Sequence, residues 1–381
     1  MISKRQNGRL PEQLSRFGFG VMRLPMRGED IDLEQTQQMI DAAMAAGVNY
    51  YDTAYVYYNG LSEQTLAKTL VERYPRHSFY LADKLPGWKL AKDAGPQQML
   101  ELLDKELEYL HTDYLDFFLI HSVDHQGWPS LLKKGVLDFL QQLRAGGKVR
   151  HIGFSYHDTA EYLPTVLADF AWEFVQLQLN YYDWDGQQNA RGQYQAAVAA
   201  GLPVIVMEPV RGGMLAELPA AAAAALRAAT DATPAALALR WAASLDNVAV
   251  VLSGVSNIEQ MRENIATFSP LIPLDARERQ AVDEIMAIIS AIPIVPCTGC
   301  KYCVDDCPKK IGIPAAIEAL NEYRRFGHDD ALNNYWRLLK PDHAPDRCIE
   351  CGECVKYCPQ KLAIPEHMWE LSELIKKRRQ A

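Results

Sequence analysis

All eight cysteines of this 381-residue chain fall between Cys297 and Cys358, in two runs of identical spacing. The first is Cys297-x2-Cys300-x2-Cys303-x3-Cys307-Pro308; the second is Cys348-x2-Cys351-x2-Cys354-x3-Cys358-Pro359. A structural zinc site uses four ligands at tetrahedral distance and has no need of three close thiolates plus a distant fourth. The doubled spacing is that of two [4Fe-4S] clusters, in which the fourth cysteine of each run ligates the other run's cluster. It assigns Cys297, Cys300, Cys303 and Cys358 to one cluster, and Cys348, Cys351, Cys354 and Cys307 to the other. The first 296 residues hold no cysteine, so the chain divides chemically in two.

Over the first 290 residues, short β-branched or aromatic runs alternate with longer amphipathic stretches, the pattern of parallel βα units. Eight strands are expected, at 17–24, 49–52, 78–84, 114–121, 149–155, 174–180, 203–208 and 248–253. The helical pattern over 33–46 stops at Gly47, and Gly146 and Gly201 punctuate later helices in the same way. Eight such units in about 270 residues match the size and order of a (β/α)8 TIM barrel. A doubly wound sheet would need a Gly-rich fingerprint after its first strand, and Gly18-Phe19-Gly20-Val21-Met22-Arg23 lacks the third glycine. The expected organisation is a barrel over 1–290, a Pro-bearing linker over 291–296, and a small, mainly helical ferredoxin-like domain over 297–381. Its insert, 308–347, carries helical patterns at 315–326 and 331–339.

Barrel chemistry sits where strands end. Asp52 ends the second expected strand, Lys84 the third, His121 the fourth, Ser155 the fifth and Glu208 the seventh, with Gln176, Gln178 and Asn180 closing the sixth. Ionisable groups on separate strands thereby converge on one mouth.

Four stretches on these strand ends, NYYDTAYVYYNGLSE (49–63), YLADK (80–84), TDYLDFFLIH (112–121) and VRHIGFS (149–155), resemble the aldo-keto reductase family. The resemblance implies a tetrad of Asp52, Tyr57, Lys84 and His121. A carbonyl accepting hydride develops negative charge on oxygen, so Tyr57 would donate a proton and His121 would orient the oxygen. Lys84 would stabilise the phenolate, and Asp52 would hold Lys84 charged. Tyr57 is chosen by its spacing from Asp52, with Tyr55 and Tyr58 as competitors. The family pattern sets a nicotinamide carboxamide against Ser155 and Gln176, with Asn180 nearby. It places the rest of the cofactor along Glu208, Ser253, Asn257, Glu263 and Asn264. Gly254 and Gln260 stand where NADPH-specific relatives carry Lys and Arg, so either NADP(H) or NAD(H) is expected. Arg262 or the helix N-terminus would meet the phosphate.

The implied activity is NAD(P)H-dependent interconversion of a small carbonyl and an alcohol, the clusters exchanging electrons with a ferredoxin or flavoprotein partner. Hydride carries two electrons and each cluster takes one, and no flavin motif is visible to split the pair. Two other readings are an ordinary reductase with structural or redox-sensing clusters, and an electron-transfer or regulatory protein with an inactive barrel. With 39 Lys and Arg against 48 Asp and Glu, the net charge of −9 disfavours nucleic acid and anionic membranes as partners. No run is long and apolar enough to span a bilayer, and a cytoplasmic protein is expected. His125 and His157 are given no role.

Overall fold

The computed structural model describes residues 1–186, 188–328, 332 and 343–380. Eight parallel strands form a closed barrel: β1 (Phe17–Gly20), β2 (Tyr50–Asp52), β3 (Tyr80–Leu85), β4 (Leu115–Val123), β5 (Val149–Tyr156), β6 (Phe174–Gln178), β7 (Val204–Met207) and β8 (Val248–Ser253). Each pairs with its sequence neighbours, and β8 closes on β1 through Val251 and Phe17. The expected strands are all present, with ends displaced by up to four residues. The largest change is in β1, which stops at Gly20 because Val21–Arg23 turns into a 3-10 helix.

Every residue of β8 is buried, as parallel strands covered on both faces must be. The barrel interior leaves no room at Gly18, where a Cβ would stand 2.7 Å from Val250 Cγ1. The GFG pattern thus serves close packing. The helix over Leu33–Ala46 starts on an Asp32 cap that accepts from the Gln35 N–H and ends at left-handed Gly47.

An element not expected from the sequence stoppers the barrel. An antiparallel hairpin, Lys4–Asn7 with Leu10–Ser15, precedes β1. Its Leu10 and Leu14 pack with Tyr50, Phe117, Phe174 and Ile205. These residues lie in the early part of their strands, so the hairpin plugs the end opposite the strand C-termini.

By internal packing the chain divides into two compact units, Met1–Gly212 with Ala235–Ala276, and Gly213–Pro234 with Arg277–Ala381. In the second, Thr230 donates to Glu278, and His328 Nε2 meets the Glu217 carbonyl at 2.6 Å. Its core gathers Ile311, Ala316, Ile317 and Leu320 against Ile364, Met368 and Leu371. The expected helix at 315–326 is found as Ile313–Phe326, whereas the one at 331–339 lies outside the described residues.

The cysteine runs repeat in backbone as well as in spacing. Short helices Tyr302–Asp305 and Glu353–Tyr357 each carry the third cysteine of a run. Left-handed residues occupy equivalent places: Gly299 and Glu350, Lys301 and Gly352, Lys310 and Lys361. The two halves fold alike because each must turn its thiols inward at the same three points.

Candidate active site and cluster cavities

At the C-terminal mouth of the barrel, Lys84 from β3 and Asp52 from β2 form a buried ion pair with Nζ to Oδ1 at 2.5 Å. A second Lys84 donor bonds the Thr53 carbonyl at 2.5 Å, and the ammonium lies close enough to the Tyr57 phenol to act on it electrostatically. Burial would strip Lys84 of its charge, but the Asp52 carboxylate, together with Tyr57 and Asp83, outweighs burial and holds the ammonium above its ordinary range. Burial raises Asp52, and the same pairing opposes the rise.

The loop after β2 selects one tyrosine. Tyr55 stacks flat on Tyr109, their rings 6.3 Å apart and 3° from parallel, and Tyr58 donates to the Leu24 carbonyl. Tyr57 alone of the three stands over Lys84, whose Nζ is 5.0 Å from its ring centre, and meets the His121 ring edge-on at 6.0 Å. Left-handed Tyr58, Asn59 and Gly60 make the sharp turn that separates these neighbours. Enclosure raises the Tyr57 phenol above its ordinary value, and the Lys84 ammonium pulls it back part of the way.

His121, on β4, is held neutral by burial and by the nearby Lys84 charge. Its Nδ1 is buried with no hydrogen-bond partner among the described residues. Trp88 covers the same ring at 5.0 Å while remaining 55% exposed, as an aromatic wall of an open cleft would. His157, just past β5, is exposed to solvent, and the protein mass around it together with the Lys84 charge pulls it down to about 4. Neither Trp88 nor His157 was given a role from the sequence. The cue for Trp88 was a bulky aromatic following a Pro-Gly turn four residues after Lys84.

The expected cofactor residues separate into open and occupied groups. The Gln176 amide nitrogen meets Asp52 Oδ2 at 3.3 Å, and its buried Oε1 has no partner among the described residues. Ser155 Oγ accepts from the Ser122 N–H at 2.8 Å and keeps its own proton to donate. An unpaired acceptor and a free hydroxyl fit the two faces of a carboxamide. Asn180 is engaged elsewhere: its amide nitrogen donates to Asp183 and to the Glu208 carbonyl, and its oxygen accepts from the Asp183 N–H. Glu208 adopts a left-handed backbone, with its carboxylate 3.9 Å from Arg23. Ser253 accepts from Asn264 at 3.0 Å. Asn257 caps the helix Ile258–Thr267 through the Gln260 N–H, while Gln260 accepts from the Ser256 N–H. Glu263 lies on that helix, one residue before buried Asn264.

The cysteine residues line two cavities. Cys307, Cys348, Cys351 and Cys354 line one of about 350 Å³, and Cys297, Cys300, Cys303 and Cys358 line one of about 320 Å³, each volume counting its solvent-facing mouth. These are the two sets the spacing assigns, crossed fourth cysteines included. All eight are free thiols. Among the described residues no three His, Cys, Asp or Glu side chains are arranged to hold a single metal ion. Burial pushes Cys303 and Cys354 up to about 11, with neighbouring cysteines adding to the rise. Coordinated metal reverses that by binding the thiolate. The residues present therefore fit two clusters.

No helix among the described residues is long and apolar enough to cross a membrane. Residues 16–287 match the family described as aldo/keto reductase, and residues 296–363 match a 4Fe-4S dicluster domain. The chain is 30% identical over 272 residues to an aldo-keto reductase of Mycolicibacterium vanbaalenii, covering 70% of this chain and 86% of that one. It is 24% identical over 314 residues to L-galactose dehydrogenase of Arabidopsis thaliana, covering 76% and 95%. Among solved structures, the holo form of an aldo-keto reductase from Bacillus halodurans superposes with a TM-score of 0.63 at 25% identity, covering 75% and 96%. An aldo-keto reductase from Klebsiella pneumoniae in complex with NADPH shares the fold, with a TM-score of 0.60 at 22% identity, covering 75% and 95%.

Proposed function

The chain belongs to the aldo/keto reductase family, and from that premise we propose that it interconverts a small carbonyl and an alcohol with NADP(H) or NAD(H). The observation that carries this reading is the convergence of Tyr57 on Lys84 and His121, with Asp52 paired to Lys84. The reduced nicotinamide, when bound, supplies the hydride. Tyr57 donates the proton to the carbonyl oxygen, and Lys84 stabilises the phenolate left behind. His121 is neutral and carries one proton. A bare lone pair is the less costly group to bury unpaired at Nδ1, so the proton sits on Nε2, where it orients the substrate oxygen. Gln176 and Ser155 receive the carboxamide. Asn180 acts through Asp183 and the Glu208 carbonyl. Ser253, Asn257, Glu263 and Asn264 form the adenosine end, where the N-terminus of the Ile258–Thr267 helix favours phosphate.

In this reading residues 1–290 are the catalytic domain, 291–296 the linker and 297–381 an electron-transfer domain serving a ferredoxin or flavoprotein. Cys297, Cys300, Cys303 and Cys358 hold one cluster; Cys348, Cys351, Cys354 and Cys307 hold the other. Exposed Cys300 and Cys351 favour a reducing cytoplasm. The test is NAD(P)H oxidation by wild type and Tyr57→Phe against a panel of aldehydes and ketones. Turnover that Tyr57→Phe lowers by about 10²-fold or more is expected, and equal rates would sink the assignment. Anaerobic addition of each nucleotide, followed by visible absorption, separates the cluster roles. Bleaching by NADPH or NADH indicates electronic coupling. Bleaching by dithionite alone indicates clusters fed by a partner or kept for structure.

A further inference from the structure

On β3, Lys84 faces the barrel interior, so the preceding residue, Asp83, faces the surrounding helices. Glu63 from the helix Leu61–Leu66 and Glu106 from the helix Pro96–Leu110, both packed in that layer, lie near enough for their charges to act on it and on each other. All three carboxyl groups are 0% exposed. Both oxygens of Glu63, both of Glu106 and Oδ2 of Asp83 have no hydrogen-bond partner among the described residues when treated as ionised acceptors. The other Asp83 oxygen accepts from the Lys84 N–H at 2.8 Å.

Three carboxylates in so dry a space would repel one another and lack the bonds that buried charge requires. Glu63 and Asp83 stand within hydrogen-bonding reach, and a bond between two carboxyl groups exists only when one carries a proton. Glu106 is near enough for the charges of that pair to act on it, and neither of its oxygens has a hydrogen-bond partner among the described residues. The other charges bearing on the group are Lys84 and Asp52 at the active site and Lys105, which lies over the Tyr55 and Tyr109 rings. Burial raises all three acids, and their mutual repulsion lifts Glu63 and Glu106 further.

We propose that Glu63, Asp83 and Glu106 form a buried proton-binding site whose charge state keeps Lys84 in its working form at alkaline pH. The inference rests on the assignment of Lys84 made above. At neutral pH the site holds protons that ordinary carboxylates have lost. As pH rises it releases one, and the new negative charge beside Lys84 strengthens that residue's hold on its own proton. The three acids are positioning residues: they act on Tyr57 only through Lys84.

Infrared spectroscopy of the full-length protein tests the site without turnover. At about pH 7.5 wild type should show a protonated-carboxyl stretch that shifts in D2O and declines as the solution is made alkaline. Glu63→Gln and Glu106→Gln should each remove part of it. Both imitate the protonated acid in shape, so the fold is expected to survive. If a variant does not fold, the wild-type band remains the readout, and a spectrum flat from about pH 6 to 10 overturns the proposal. Identical bands in wild type and folded variants overturn it too, and leave the Tyr57 reading untouched. The link to Lys84 is read from the pH profile of 4-nitrobenzaldehyde reduction. Asp83→Asn should move the alkaline limb to lower pH by about one unit, and an unmoved limb refutes the link. Absence of turnover in wild type would count against the proposed function, while the infrared result would still decide the proton site.

Discussion

Lys84 bonds Asp52 and the Thr53 carbonyl and stands beside the Tyr57 ring, and each neighbour plays a different part. Asp52 is the counter-charge, the Thr53 carbonyl is a backbone anchor, and Tyr57 is the phenol to be tuned. Removing the cation should therefore do two kinds of damage. Lys84→Met leaves Asp52 buried and unpaired, a change of about 3–5 kcal/mol, so both turnover and the thermal midpoint should fall. Tyr57→Phe should abolish turnover with the thermal midpoint nearly unchanged. Differential scanning calorimetry beside the kinetic assay separates the two, and a Tyr57→Phe protein as unstable as Lys84→Met would contradict this division. Strand-end chemistry was legible in the sequence because a strand fixes where its last side chain goes. The choice among Tyr55, Tyr57 and Tyr58 was not, since three successive left-handed residues turn the loop and no periodicity announces them. Trp88, in the short 3-10 helix Gly87–Lys89, was missed because no periodicity announces such a turn either.

At the next scale, the hairpin before β1 is tied to the barrel wall by charge. His151 on β5 lies between Glu12 of the hairpin at 2.7 Å and Glu173 at 2.8 Å. Burial opposes its charge, but the two carboxylates prevail and raise it to about 9. A raised histidine stabilises the fold fully below its unfolded value near 6.5, and that contribution fades as pH climbs through about 9. Glu12 is lowered, so its share is present above the ordinary glutamate range and fades as acid reaches its folded value. Stability from this latch should be greatest between about pH 5 and 6.5 and should drop by on the order of 2 kcal/mol toward pH 9.5. Glu12→Gln should flatten that alkaline slope in melts taken across the range. A wild-type slope retained in the variant would place its origin elsewhere. The Asn7-Gly8 pair was a readable hairpin cue, as was Leu10 with Leu14 at even spacing. The surrounding polar residues hid it, because a plug needs only one apolar face.

For the whole molecule, the crossed cysteine sets make a prediction about iron. Cys307→Ser should empty the cavity lined by the second run while leaving Cys297, Cys300, Cys303 and Cys358 intact. Iron per chain should fall from about eight to about four, with the remaining cluster spectrum unchanged; loss of iron from the first run's own cavity would refute the crossing. The cluster ligands were legible because thiol spacing is a chemical requirement. The packing partition was less so, since nothing in the pattern of residues 213–234 marks them as companions of the cysteine segment. The stoppered barrel, finally, is a room with a single door. With Leu10 and Leu14 filling its floor, whatever arrives at Tyr57 must leave by the way it came.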